Sequence, residues 1–156
     1  MKQHRFILNL LLFCISVSYS HAAESSYGWG ASLFSTSSKE DYQQFTKQLN
    51  SWLLQNGFTP TKSKGVYNYV VGQYILVWTM VFNDKDKDVT ANSSYQGSFT
   101  HDDLIEVRKT NYELWKSIFT WTASQKEKND FILHDPNWRD KAITDVRKTY
   151  SNAIQP

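Results

Sequence analysis

Between Val66 and Phe82 the chain reads VYNYVVGQYILVWTMVF, seventeen residues without one charged side chain. A membrane helix needs about 20 predominantly apolar residues, and Asn68, Gly72 and Gln73 interrupt this run. Its Val, Ile, Tyr, Phe and Trp instead suit a pleated surface packed on at least one face. Two strands are expected, over 66–71 and 74–82, broken at Gly72, with one long bent strand as the alternative. Whatever else the chain does, it must build a sheet around this segment and cover it.

The rest of the sequence supplies the cover. Ser37 and Glu40 have the spacing of a capping box, in which a hydroxyl and a carboxylate satisfy free N–H groups at a helix start. Tyr42, Phe45, Leu49, Trp52 and Leu53 then recur at three- and four-residue intervals, the signature of a helix with one apolar face. Gly57 is placed to end it in a left-handed conformation that lets Phe58 fold back on Leu53. A second helix is announced by Thr100 as cap, Asp103 at its third position, and Phe99 with Leu104 as a hydrophobic staple. On this helix Leu104, Ile105, Val107, Tyr112, Leu114, Trp115, Ile118, Phe119 and Trp121 span an arc of roughly 200°. So wide an arc predicts cover on two sides. Asp135-Pro136 opens a third helix, with Trp138, Ala142, Val146, Tyr150 and Ala153 along one face. The segment SQKEKNDFIL between them reads as a short helix or a loop. YGWGASLF, Tyr27 to Phe34, reads as a first strand, and SSYQGSF as a returning one. The expectation is an α+β domain: a small antiparallel sheet of three to four strands with two to three amphipathic helices packed on it.

Ahead of this domain, residues 1–22 have the form of an export signal. Lys2 and Arg5 precede the apolar core FILNLLLFCISV, and Ser20 and Ala22 are the small residues a signal peptidase reads. Cleavage after Ala22 is expected, with Ala23 as the alternative. Cys14 lies inside the apolar core behind the bulky Phe13, which argues against lipid attachment. Removal of both basic residues lowers Lys plus Arg from 17 to 15, equal to the 15 acidic residues. A neutral domain over residues 23–156 gives no reason to expect nucleic acid or an anionic membrane as partner. It also retains no cysteine, so stability must come from its core, which at this size one domain can provide. A periplasmic or secreted bacterial protein is the expected context.

Four groups of residues invite a chemical role. Asp84, Asp86 and Asp88 match the first three ligand positions of a calcium loop. Val89 then stands where the loop needs glycine and Tyr95 where it needs a bidentate glutamate, so the stretch reads as a charged connector. His101-Asp102-Asp103 and His134-Asp135 could ligate a metal or move protons. Both, however, sit at helix starts, where aspartates cap N–H groups and favour the helix dipole. Arg108 and Asn111 project into the apolar arc of the second helix, where a guanidinium or an amide needs partners; they are candidate binding residues as well as structural ones. Tyr27 and Trp29 are candidates to line an aromatic binding surface. No nucleophilic cysteine, no Gly-x-Ser-x-Gly elbow and no phosphate-binding glycine loop occurs in the sequence. The balance points away from an enzyme, and no cofactor, no catalytic residue and no metal site is assigned. The leading expectation is a small exported protein that binds another envelope protein, of inhibitor, immunity or adaptor type. The alternatives are an aromatic-lined small-ligand or glycan-binding module and a hydrolase using carboxylates or the His-Asp pairs.

Overall fold

The computed structural model describes residues 23–129 and Thr144. The export segment, the pair His134-Asp135 and the helix expected from Asp135 lie outside the described residues.

The apolar run forms strands β3 (Val66–Val71) and β4 (Tyr74–Asn83), turning at Gly72 as its sequence required. Three further strands join them: β1 (Ala23–Ser35), β2 (Thr59–Pro60) and β5 (Asp88–Phe99). All pairings are antiparallel, in the order β1-β5-β4-β3-β2. The expected sheet of three to four strands is therefore corrected to five. The expected two to three helices become two among the described residues, α1 (Lys39–Gln55) and α2 (His101–Asn129). The extra strand is the two-residue β2, too short to show any periodicity and ending on Pro60, a residue suited to a sheet edge. The segment SQKEKN, ambiguous by sequence, continues α2 to Asn129.

Chain connectivity explains the layering. β1 and β2 lie at opposite edges of the sheet, so α1 must cross one face to join them. α2 leaves β5 and packs beside α1 on the same face, where Trp121 meets Phe45 at 5.4 Å and Trp52 at 5.7 Å between ring centroids. Helix-facing strand residues make the core with them. Leu76, Trp78 and Met80 come from β4, Val89, Ala91 and Tyr95 from β5, and all are buried. β1 keeps its register with β5 over twelve pairs except between Ser32 and Phe34. Leu33 is the extra residue of that bulge, which lets both Leu33 and Phe34 turn inward, 0% and 1% exposed.

The core is built mostly from rings. Trp115 of α2 is fully buried with its ring centroid 4.3 Å from Trp29 and 4.4 Å from Trp78. Its indole N–H donates to Ser93 Oγ at 2.7 Å, which satisfies two buried polar groups at once. Phe34 stacks on Phe45 at 4.2 Å, tying β1 to α1.

Helix ends follow the local chemistry, with one shift. Ser38, not Ser37, caps α1: its hydroxyl accepts from Asp41 N–H at 3.1 Å. Thr36 Oγ1 accepts from Ser38 N–H and holds that residue extended, which moves the start of the helix by one position. Gly57 takes φ +86°, and Phe58 N–H returns to the Leu53 carbonyl at 3.1 Å, as a glycine-ended helix requires. At α2, Thr100 Oγ1 accepts from Asp103 N–H and donates to Asp103 Oδ2.

Candidate functional site

Both described helices lie on one face of the sheet, which leaves the other uncovered by either. Alternation along the strands identifies its residues: Ser26, Gly28, Gly30 and Ser32 on β1; Thr90, Asn92, Ser94 and Gln96 on β5; Ile75, Val77, Thr79 and Val81 on β4; Val66, Asn68 and Val70 on β3. Each is exposed or half-exposed, and none carries a charge; the same alternation also sets Asp88, half-buried at the first position of β5, on this side. Antiparallel sheets that face water commonly present charged and polar side chains there.

The strand register orders these residues into rows. One row runs Gly28, Ser94, Val77, Asn68, and the next Gly30, Asn92, Thr79, Val66. Side chains thus rise from almost nothing on β1 to valine and isoleucine on β3 and β4. Val70 is 65% exposed and pairs with Ile75, which is 49% exposed, as is Val81. At Gly30 the Asn92 amide lies across the missing side chain, whereas a Cβ on Gly28 would meet only the Ser93 carbonyl at 4.0 Å. An open depression of about 790 Å³ lies on this face toward the β3–β4 turn, bordered by Gly28, Asn68, Gln73, Ile75, Val77 and Ser94. Chemically it can bury aliphatic groups and exchange neutral hydrogen bonds, and no ion has to be stripped of water to do so.

Of the residues singled out by sequence, Tyr27 borders this depression, while Arg108, Asn111 and Trp29 lie elsewhere. Arg108 is half-buried on α2, and its Nε donates to Tyr95 Oη at 2.7 Å while the guanidinium sits 5.8 Å from the Tyr27 ring centroid. It meets two phenols, which themselves stack at 5.5 Å. Burial pushes the Tyr95 hydroxyl above its ordinary pKa, and the neighbouring Arg108 charge works against that rise. Asn111, one turn further on, is 4% exposed, and its Oδ1 has no hydrogen-bond donor among the described residues. Trp29 turns its ring to the helices, against Trp115 and Phe119, and Tyr27 likewise faces α2. The structure brings Arg108 and Tyr27 together, and of the four only Tyr27 also borders the open depression.

In the acidic stretch, Tyr42 Oη donates to Asp84 Oδ1 at 2.9 Å and Asn83 Nδ2 to Asp86 Oδ2 at 2.7 Å. Lys87 adopts φ +52°, the left-handed position of this connector between β4 and β5. His101 Nδ1 lies 3.3 Å from Asp102 Oδ1 with both side chains largely in solvent. Asp103 instead takes hydrogen bonds from Thr100 and Tyr74, which hold its carboxyl below the usual range. Among the described residues no three His, Cys, Asp or Glu side chains converge as a metal site. None of the described helices is long and apolar enough to cross a membrane.

The open face is what sequence reasoning missed. Its signal was present in β3 and β4, where Val66, Val70, Ile75, Val77 and Val81 are apolar at the positions opposite the core residues. A strand apolar on both faces marks a sheet that has business on its second face. No family model matches the chain, and neither the curated proteins nor the solved structures contain a match to it.

Proposed function

We propose that this chain is an exported protein, periplasmic or secreted after loss of residues 1–22, that acts by binding another envelope protein through the open face of its sheet. It carries out no chemistry of its own and works as an inhibitor, immunity or adaptor protein does. The observation that supports this reading is the uncharged middle of that face, with Val70, Ile75 and Val81 exposed. Protein interfaces differ from ordinary surface chiefly in losing charged residues at their centre. The same neutrality argues against a phosphate backbone as the partner, which would call for clustered Lys and Arg. An open sheet face also lends itself to a protein partner, since small ligands favour enclosed, concave sites.

The test is quantitative affinity capture from envelope extracts by the mature chain and by Ile75→Asp. A partner retained by the parent and lost by Ile75→Asp, at equal melting temperature, supports the reading. Equal capture by both overturns it. The second reading, an aromatic-lined ligand module, finds its support at a different place in the fold, the junction of α1 and α2.

A further inference from the structure

On the outer side of the helix layer, α1 and α2 meet at two half-exposed indoles, Trp52 and Trp121, with centroids 5.7 Å apart and planes inclined by 31°. A depression of about 460 Å³ lies on one side of this pair, with Gln48, Ser51 and Gln55 among its walls. A second of about 380 Å³ lies on the other, with Ser117, Thr120 and Ser124. Both are lined by the same two indoles. Gln48 Oε1 is buried in the first wall, and no donor among the described residues reaches it.

We propose that this junction is a binding site for a neutral oligosaccharide, two or more pyranose units long, laid across the indole pair. Three features select that ligand class. Indole faces stack on the apolar C–H face of a pyranose, and each side of the pair has space of its own, so a chain longer than one sugar is required to use both. The surrounding groups are mostly amides and hydroxyls, which match vicinal sugar hydroxyls as donors and acceptors; the charged ones are Lys47 on one side and, on the other, Glu113 and Lys116, which pair with each other at 3.8 Å. The orphan Gln48 Oε1 calls for a donor, and a sugar O–H is one. An aromatic groove can equally attract a proline-rich peptide, but proline has no N–H and its carbonyls only accept, so such a peptide leaves Gln48 unmet at its prolines. The site is separate from the open sheet face, and its fate does not depend on the protein-binding reading.

The experiment is an NMR titration of the indole N–H signals of the mature chain with chito-, cello- and malto-oligosaccharides of one to six units, alongside a proline-rich decapeptide. Saturable shifts of Trp52 and Trp121 are expected with at least one sugar series, with the tetramer binding about tenfold more tightly than the monomer. Gln48→Leu should weaken that binding by about threefold to tenfold while leaving the melting temperature unchanged or raised, because it removes an acceptor that has no partner. Trp121→Ala should abolish it. No saturable shift with any sugar overturns the proposal, as does a response to the decapeptide only, or sugar binding that Gln48→Leu leaves unaltered.

Discussion

Asn111 offers the sharpest test of how this core is built. It sits on the buried side of α2 at 4% exposure, and its Oδ1 accepts no hydrogen bond from the described residues. A buried polar group without a partner costs about 1–3 kcal/mol in lost hydration. Leucine has the same number of side-chain heavy atoms and the same branching at Cγ, so Asn111→Leu removes that cost without opening a cavity. Its two methyls are bulkier than the amide they replace, and crowding takes back part of the gain, typically 1 kcal/mol or more. Leucine also has the better helix propensity, by about half a kcal/mol. The balance is a gain of about 1 kcal/mol, which for a domain of this size raises the melting temperature by about 3–5 °C. Thermal unfolding followed by far-ultraviolet circular dichroism measures it, with near-ultraviolet spectra to confirm native ring packing. A loss of 1 kcal/mol or more, with native spectra, would refute the reasoning, for it would mean that Oδ1 is satisfied in solution.

Three further outcomes follow from other contacts. Arg108→Met should cost about 1 kcal/mol, because it strands the buried Tyr95 hydroxyl rather than an acid, and adding Tyr95→Phe should recover most of the loss; additive losses in the double-mutant cycle would contradict the 2.7 Å bond. Burial, then the hydrogen bond to Asp84, raises Tyr42 from 10.0 to about 12; a raised folded-state value means its contribution is whole below pH 10 and is lost as pH climbs toward 12, so alkaline unfolding of Tyr42→Phe should show a shallower fall across that window than the parent. Gly28→Arg should leave the melting temperature within about 2 °C of the parent, since a Cβ there meets only the Ser93 carbonyl at 4.0 Å, while blocking the depression on the open face; a large drop in stability, or undiminished partner binding, counts against that face as described.

Local signals carried much of the fold. The interruption at Gly72 separated β3 from β4, the three- and four-residue spacing of Tyr42, Phe45, Leu49 and Leu53 drew the buried side of α1, and Thr100 with Asp103 marked the start of α2. These depend on backbone chemistry within a few residues. β2 was invisible because two residues have no period, and it exists only because β3 offers Asn68 and Tyr67 as partners. β5 was read short because its outward side chains, Thr90, Asn92, Ser94 and Gln96, are polar and resemble a loop until their alternation with Val89, Ala91, Ser93 and Tyr95 is seen. The site was least legible. Arg108, Asn111, Tyr27 and Trp29 stand out along the chain for their chemical type, whereas the middle of the open face is conspicuous for the charges it lacks. That property emerges only when the register sets four strands side by side.

The most direct measurement of the central claim is photo-cross-linking in the living cell from single positions carrying a benzophenone amino acid. Position 94 stands at the middle of the open face, opposite Gly28 and Val77, and position 109 on the solvent side of α2, where Lys109 is exposed. A docking face at the sheet predicts one discrete cross-linked protein from position 94, none from position 109, and loss of the product when Ile75→Asp is added. Equal cross-linking from both positions, or a product from position 109 alone, would contradict it.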